Sequence, residues 1–323
     1  MSGFYTVASV YARPMRETLR AALLVASVAV AGCASATVSF ENATPSAALR
    51  IPAEEFRPTG SGTFPAVVLM HGCHGVSESN REWARWFAEQ GYVALVVDSW
   101  RPRGLSEACT PGEELPSSAR FDDAIGALRW LQSRRYVDRE RVGIIGWSNG
   151  GVFAMAAVNG PTFERTKKRG VVIPEPGFRA AVGVYPGGCF TLANELSVRP
   201  LLLLVGSDDD WTLASECIEL TEKQLAKGAD VTLVIYPGAV HYFDVVGQPR
   251  TWLADVENRN RPNKCCGATV GYDAAAAADA HRRVAEFFGR HLGCRDNEAR
   301  PGLCRGVSER LGGLGGHFGA PQN

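Results

Sequence analysis

Six apolar runs of strand length, at 66–70, 92–97, 142–147, 180–185, 200–205 and 231–236, constrain this chain more than any other feature. Most are continuous rather than alternating, as in strands buried on both faces of a parallel sheet. Helix-length stretches of mixed polarity separate them, at 78–90, 117–134, 149–159, 213–227 and 272–292. In the last of these, Val284, Phe287, Phe288 and His291 share one face at three- and four-residue spacing. The alternation predicts an α/β fold, a doubly wound and mostly parallel sheet with helices on both faces and right-handed crossovers. Weaker runs near 36–40 and 48–51 suit antiparallel edge strands. No repeat or linker splits the chain. One domain is expected over 48–293, after a linker at 33–47 and before a glycine-rich tail at 294–323. A polar excursion at 244–271 reads as a lid or a surface loop.

Lys and Arg number 34 and Asp and Glu number 34, and no basic run is longer than Lys167–Arg169. A nucleic-acid partner needs a basic stripe, so none is expected. The N-terminus reads as an address. Arg13, Arg16 and Arg20 precede an apolar run from Ala21 to Ala31, the layout of a secretory signal over residues 1–32. Met15 opens a compact signal by itself. The run falls short of the roughly 20 residues that span a bilayer. "VAGC" resembles a bacterial lipoprotein box that would lipidate Cys33, while Ala34-Ser35-Ala36 offers an ordinary cleavage site. Either way the chain is expected to be exported: periplasmic and held to the membrane only by an N-terminal lipid, or secreted.

Cysteine usage agrees with export. Cys33 apart, eight of the nine Cys remain, an even number that favours disulfides. Cys73 follows one strand and Cys109 ends the loop after the next, so a Cys73–Cys109 bridge is expected. Cys189 and Cys217 bracket another strand in the same way, and Cys294–Cys304 would close a Pro-Gly turn. Adjacent Cys265 and Cys266 leave a vicinal bridge or a second protomer open. No C-x-x-C occurs and the six His are scattered, so neither a metal nor a cofactor is expected.

The chemistry lies at strand ends. "VGIIGWSNGG" passes from a strand straight into a helix, the context in which G-x-S-x-G forms a nucleophile elbow around Ser148. Side chains at 146 or 150 would strike neighbouring backbone, and the helix N-terminus behind Ser148 favours developing negative charge. A serine hydroxyl needs a base, and the base an orienting carboxylate. "GSDDDW" follows the strand at 200–205 and "PGAVH" the strand at 231–236. His241 is therefore the candidate base, and Asp208, Asp209 and Asp210 compete as the acid, with the other two expected to cap the next helix. The backbone N–H of Asn149 and that of Cys73, in "MHGCHG", are the candidate oxyanion-hole donors. His71 and His74 are read as shaping that loop by hydrogen bonds. Trp147, Trp211 and Tyr242 flank the site and are candidates for an acyl pocket or for plain core.

Together "PAVVLMHGCHG", "GYVALVVDSWRPRG", "VGIIGWSNGG", "LLLLVGSDDDWT", "YPGAVHYFD" and "GATVGYDAAAAADAHRRVAEFF" resemble the dienelactone hydrolase family of α/β-hydrolases over roughly residues 50–292. The resemblance implies an α/β-hydrolase fold. It selects Asp209 as the acid, because in the family the acid follows Gly-x-x, and His241 as the base. The dienelactone hydrolases proper carry Cys at the nucleophile where this chain has Ser148, which turns the expectation towards general hydrolysis of small-molecule esters, with lactones as a variant. A serine peptidase or thioesterase would use the same triad. A non-catalytic lipid-anchored envelope protein is the alternative of a different class.

Overall fold

The computed structural model describes residues 34–110 and 117–293. Their elements are β1 (Ala34–Glu41), β2 (Arg50–Arg57), β3 (Phe64–Met70), α1 (Glu78–Glu89), β4 (Val93–Val97), α2 (Ser117–Gln132), β5 (Val137–Trp147), α3 (Asn149–Ala156), α4 (Gly160–Lys168), β6 (Ala181–Val184), α5 (Cys189–Leu192), β7 (Leu201–Gly206), α6 (Ala214–Leu225), β8 (Val231–Tyr236), β9 (Thr251–Leu253), β10 (Ala268–Val270) and α7 (Ala274–Leu292). The first eight strands form one sheet in the order β1-β2-β4-β3-β5-β6-β7-β8. Its β1/β2 and β2/β4 pairs are antiparallel, and every pair from β4 to β8 is parallel.

That order fixes where a site can form. The chain runs from β3 to β4 on one side and then crosses back to place β5 on the other. Strand order reverses at β3, so the crevice beyond the carboxyl ends of β3 and β5 is the topological switch point. Met70 pairs with Gly146 there, which puts the loops starting at His71 and Ser148 side by side.

The strands read as continuous apolar runs because both faces are covered. Ala66, Val68 and Met70 of β3 share one buried cluster with Ile125 and Leu128 of α2, Phe153 of α3 and Leu220 of α6. The alternate residues Val67 and Leu69 pack with Trp83 and Phe87 of α1 and Val284 and Phe288 of α7. Ser77 and Asn80 close a capping box on α1, and Asp273 caps α7.

Two sequence expectations need correction. The linker expected over 33–47 is largely absent, because residues 34–41 form β1, the antiparallel edge strand expected near 36–40, paired along its whole length with β2. Only Phe40 of β1 is buried, so the segment carries almost no apolar signal. It forms because β2 would otherwise present an unpaired edge, and Asn42 pins the turn by donating to Asp123 and accepting from Leu49 N–H. The excursion at 244–271 is also more ordered than a loop, since β9 and β10 pair within it as an antiparallel hairpin. The signal segment, Cys33 and the Cys294–Cys304 pair lie outside the described residues.

Candidate active site

Ser148 sits between β5 and α3 with φ 51° and ψ −118°, a conformation that a side-chain-bearing residue adopts only when its surroundings impose it. The glycines do the imposing. A Cβ at Gly146 would run into the Gly150 carbonyl, and one at Gly150 into the carbonyls of Met70 and His71. The elbow therefore lies flat on the end of β3. Ser148 N–H donates to Val184 O at 3.0 Å, and its own carbonyl accepts from Gly187 N–H at 3.0 Å, tying the turn to β6 and the loop beyond.

Asp209 and His241 come together at 2.7 Å, His241 Nδ1 to Asp209 Oδ2, with both side chains fully buried. Every lone pair of the carboxylate that the turn can reach is used. Oδ1 accepts from the N–H of Trp211 at 2.9 Å and of Thr212 at 2.8 Å, and Oδ2 also accepts from the Thr212 hydroxyl at 2.9 Å. With Nδ1–H donating to the acid, the imidazole keeps its lone pair on Nε2, a buried atom that has no hydrogen-bond partner among the described residues. The ring is wedged between Tyr185 at 4.4 Å and Trp211 at 4.8 Å between centroids. Tyr185 and Tyr242, on either side of it, also have positive φ, 35° and 65°.

The neighbouring aspartates act differently from the sequence expectation, which made them helix caps. α6 has Leu213 as its N-cap residue, with no side-chain cap. Asp208 is exposed and reaches Ser207 and Arg250. Asp210 instead fastens the excursion, accepting from Thr269 N–H at 2.8 Å and from Arg261 at 2.7 Å. The reason is direction: once Asp209 closes its own turn on residues 211 and 212, Asp210 faces the β9–β10 hairpin.

A cavity of about 380 Å³ opens on Ser148, Asn149, Cys73 and Trp211. Among the described residues neither the Cys73 nor the Asn149 backbone N–H donates to a protein group. Cys73 is bonded to Cys109 and Cys189 to Cys217, and Cys265 is joined to Cys266. His74 approaches Cys73 and Cys109, but both sulfurs are committed to the disulfide and offer no thiolate to a metal. Two of the three aromatic residues expected to line the pocket do not. Trp147 is buried on the far face of the sheet, where its indole N–H donates to Asp244 at 2.8 Å. Tyr242 stacks beside His241 and bonds His74 at 2.6 Å. Only Trp211 lines the cavity.

His71 shapes its loop by accepting at Nε2 from Ser99 N–H at 3.1 Å. Burial, and then the nearby Arg120, hold its pKa well below the usual value, so it is neutral at neutral pH. Sequence reasoning missed three residues. Thr212 supports both Asp209 and His241. Asp244 is a buried carboxylate receiving Trp83, Trp147 and Tyr185. Arg120 is buried against the elbow and lines the cavity. Its position was readable, since Arg120, Ala124, Ala127 and Leu131 fall on one helical face whose other members are fully buried.

Comparison with known proteins agrees with this architecture. The sequence profile of the dienelactone hydrolase family matches residues 51–292. A Bradyrhizobium sp. protein named "Probable 2-oxo-3-(5-oxofuran-2-ylidene)propanoate lactonase" is 28% identical over 206 residues, covering 58% of this chain and 76% of its own. A Synechocystis sp. protein named "Putative carboxymethylenebutenolidase" is 23% identical and covers 77% of this chain and 95% of its own. Among solved structures, a dienelactone hydrolase-like promiscuous phosphotriesterase from metagenomic libraries superposes with a TM-score of 0.57 at 20% identity, over 80% of this chain and 99% of that one. Brefeldin A esterase, a bacterial homologue of human hormone-sensitive lipase, gives 0.56 at 19% identity, over 82% and 78%. With an eight-stranded α/β-hydrolase sheet and a family match over most of its length, the chain belongs to the dienelactone hydrolase family and is a carboxylic-ester hydrolase.

Proposed function

We propose that the protein cleaves small-molecule carboxylic esters through an acyl-enzyme formed on Ser148. The observation that carries this reading is the buried Asp209–His241 pair with an unengaged Nε2, in a fold that sets an elbow serine on the adjoining loop. Tyr185 links the two halves, because Ser148 N–H bonds the residue before it and the His241 ring packs on it.

In the first half-reaction His241 Nε2 takes the Ser148 proton as Oγ bonds to the ester carbonyl carbon. The carbonyl oxygen becomes an oxyanion, received by the N–H groups of Cys73 and Asn149, and each such donor contributes about 10²–10³ in rate. Asp209 stabilises the imidazolium. The C–O bond to the alcohol then breaks, His241 returns its proton to the departing oxygen, and acyl-Ser148 remains. Water, deprotonated by His241, attacks this acyl group through a second oxyanion and releases the acid. A lactone follows the same course with the alcohol still tethered.

A fluorophosphonate probe should label the wild-type protein at Ser148, located by peptide mass spectrometry. Ser148→Ala should lose labelling and about 10⁶ in hydrolysis of a 4-nitrophenyl ester. Labelling elsewhere, or a folded Ser148→Ala protein with more than about a hundredth of wild-type rate, would sink the reading.

We also propose that the enzyme is exported and lipidated at Cys33. Disulfides within the catalytic domain support an oxidising compartment, and the apolar run before Cys33 supports a lipoprotein signal. In a bacterial host, labelled palmitate should enter the wild type and not Cys33→Ala. Equal incorporation in both rejects lipidation.

A further inference from the structure

Arg120, in the first turn of α2, is 1% exposed and yet lines the cavity beside Ser148. Its guanidinium carbon lies 4.5 Å from the Trp100 ring centroid and 4.9 Å from that of Phe153, so two aromatic faces hold it in place. One Nη donates to the His71 carbonyl at 2.7 Å, and the other donates to the Asn149 side-chain oxygen. No carboxylate neutralises it within ion-pairing distance among the described residues. Asp123 is gripped by both Nη atoms of Arg103 at 2.8 and 2.9 Å, and Asp98 is paired with Arg101 at 3.3 Å.

A buried cation without a counter-ion is costly, and evolution ordinarily removes it or pairs it. Burial brings the Arg120 pKa down to about 9, with Asp123 opposing the fall, so the group is still charged at neutral pH. Its two hydrogen-bond acceptors explain why the charge is tolerated there. His71 stands two residues before Cys73, and Asn149 carries the other free N–H, so one guanidinium grips both loops that flank the hole. The negative charge it lacks in the resting structure is the one that forms on the substrate carbonyl oxygen.

We propose that Arg120 is a positioning residue for the oxyanion hole, aligning the Cys73 and Asn149 N–H groups with each other and placing a fixed positive charge behind them. The proposal rests on the Ser148 acyl-enzyme reading. It differs from a substrate-binding role because its effect falls on the transition state and is the same for neutral and anionic esters.

The test uses the full-length protein with Arg120→Lys, Arg120→Gln and Arg120→Met, each checked for native circular dichroism. Wild-type and Ser148→Ala proteins run alongside. If they fail to behave as stated above, it is the acyl-enzyme reading that fails, independently of Arg120. On a neutral 4-nitrophenyl ester, Arg120→Met should lower kcat by about 10²–10³-fold with KM changed less than about threefold. Affinity for phenylboronic acid, which forms a tetrahedral adduct on the serine, should fall by a similar factor. Arg120→Lys should recover at least about tenfold of the lost kcat, and Arg120→Gln should not. If Arg120→Met fails to fold, the contrast between Lys and Gln decides the matter. The proposal is overturned by a kcat within about threefold of wild type in Arg120→Gln, by boronate affinity unchanged while kcat falls, or by a loss confined to KM for anionic esters.

Discussion

The two sides of the active site are built by different means. On the nucleophile side, Ser148 is placed by strands at the middle of the sheet and by steric exclusion. β3 and β5 are neighbours, and Gly146 and Gly150 leave the turn no alternative path. On the acid–base side, Asp209 and His241 follow β7 and the edge strand β8, whose central residues are half-buried or exposed. There the loops are held by polar bonds to residues far along the chain. Trp211 donates to Glu257 O, Asn258 to Asp210 O, and Asn260 to Trp211 O, at 2.8, 2.9 and 3.0 Å. Asp244 gathers Trp83, Trp147 and Tyr185 beneath the His241 loop. Backbone sterics thus secure the serine, whereas the base depends on a network that single polar substitutions can open.

Three adjacent aspartates test that contrast, because they differ in little but their partners. Asp209→Asn should cost about 10⁴ in kcat, since an amide presents a donor to His241 Nδ1 and favours the wrong tautomer. Asp210→Asn should cost far less, about three- to tenfold, and mainly through KM. It weakens the bonds to Thr269 and Arg261 that hold the hairpin against the acid loop, while leaving the Asp209–His241 contact in place. Asp208→Asn, at an exposed position, should be close to wild type. Steady-state kinetics on one ester ranks the three. Equal losses, or the largest at 208 or 210, would contradict the assignment of the acid.

The same contrast explains what could be read from the chain. The elbow, the alternation of strands and helices, His241 and the acid loop at 208–210 follow from local patterns: apolar runs, glycine spacing and loops at strand ends. The choice of Asp209 within that loop came from the family resemblance. Trp147 misled because its neighbour Ser148 faces the cavity, and at the elbow consecutive side chains point to opposite faces of the sheet. Its place is beside Trp83, bonded to Asp244. Asp244 and Asp210 were opaque for a different reason. Their partners lie 161 and 59 residues away in the chain, at Trp83 and Thr269, and nothing local distinguishes a buried carboxylate from a solvated one. β1 was legible only as a weak apolar run near 36–40, because an edge strand with one buried residue has little hydrophobic period to detect.

The smallest expected effect lies on the nucleophile side and is read by pH. His71 is fully buried, its Nδ1 lies 2.6 Å from the Gly72 carbonyl, and accepting from Ser99 N–H requires a neutral Nε2. Its folded pKa is lowered by burial first and by Arg120 second, with the Gly72 carbonyl opposing. In the unfolded chain a histidine titrates near 6.5. Below that pH the unfolded state binds a proton that the folded state refuses, so stability is complete above about 6.5 and declines as the pH falls. From this group the decline approaches about 1.4 kcal/mol per pH unit until the folded His71 itself protonates. His71→Gln keeps an acceptor for Ser99 and removes the titration. Urea unfolding at pH 7.0, 6.0 and 5.0 should show the wild type losing stability more steeply than the variant, with similar m-values. Parallel pH slopes would mean that the imidazole is protonated in the folded protein, and that Ser99 and Arg120 do not hold the loop as its geometry implies.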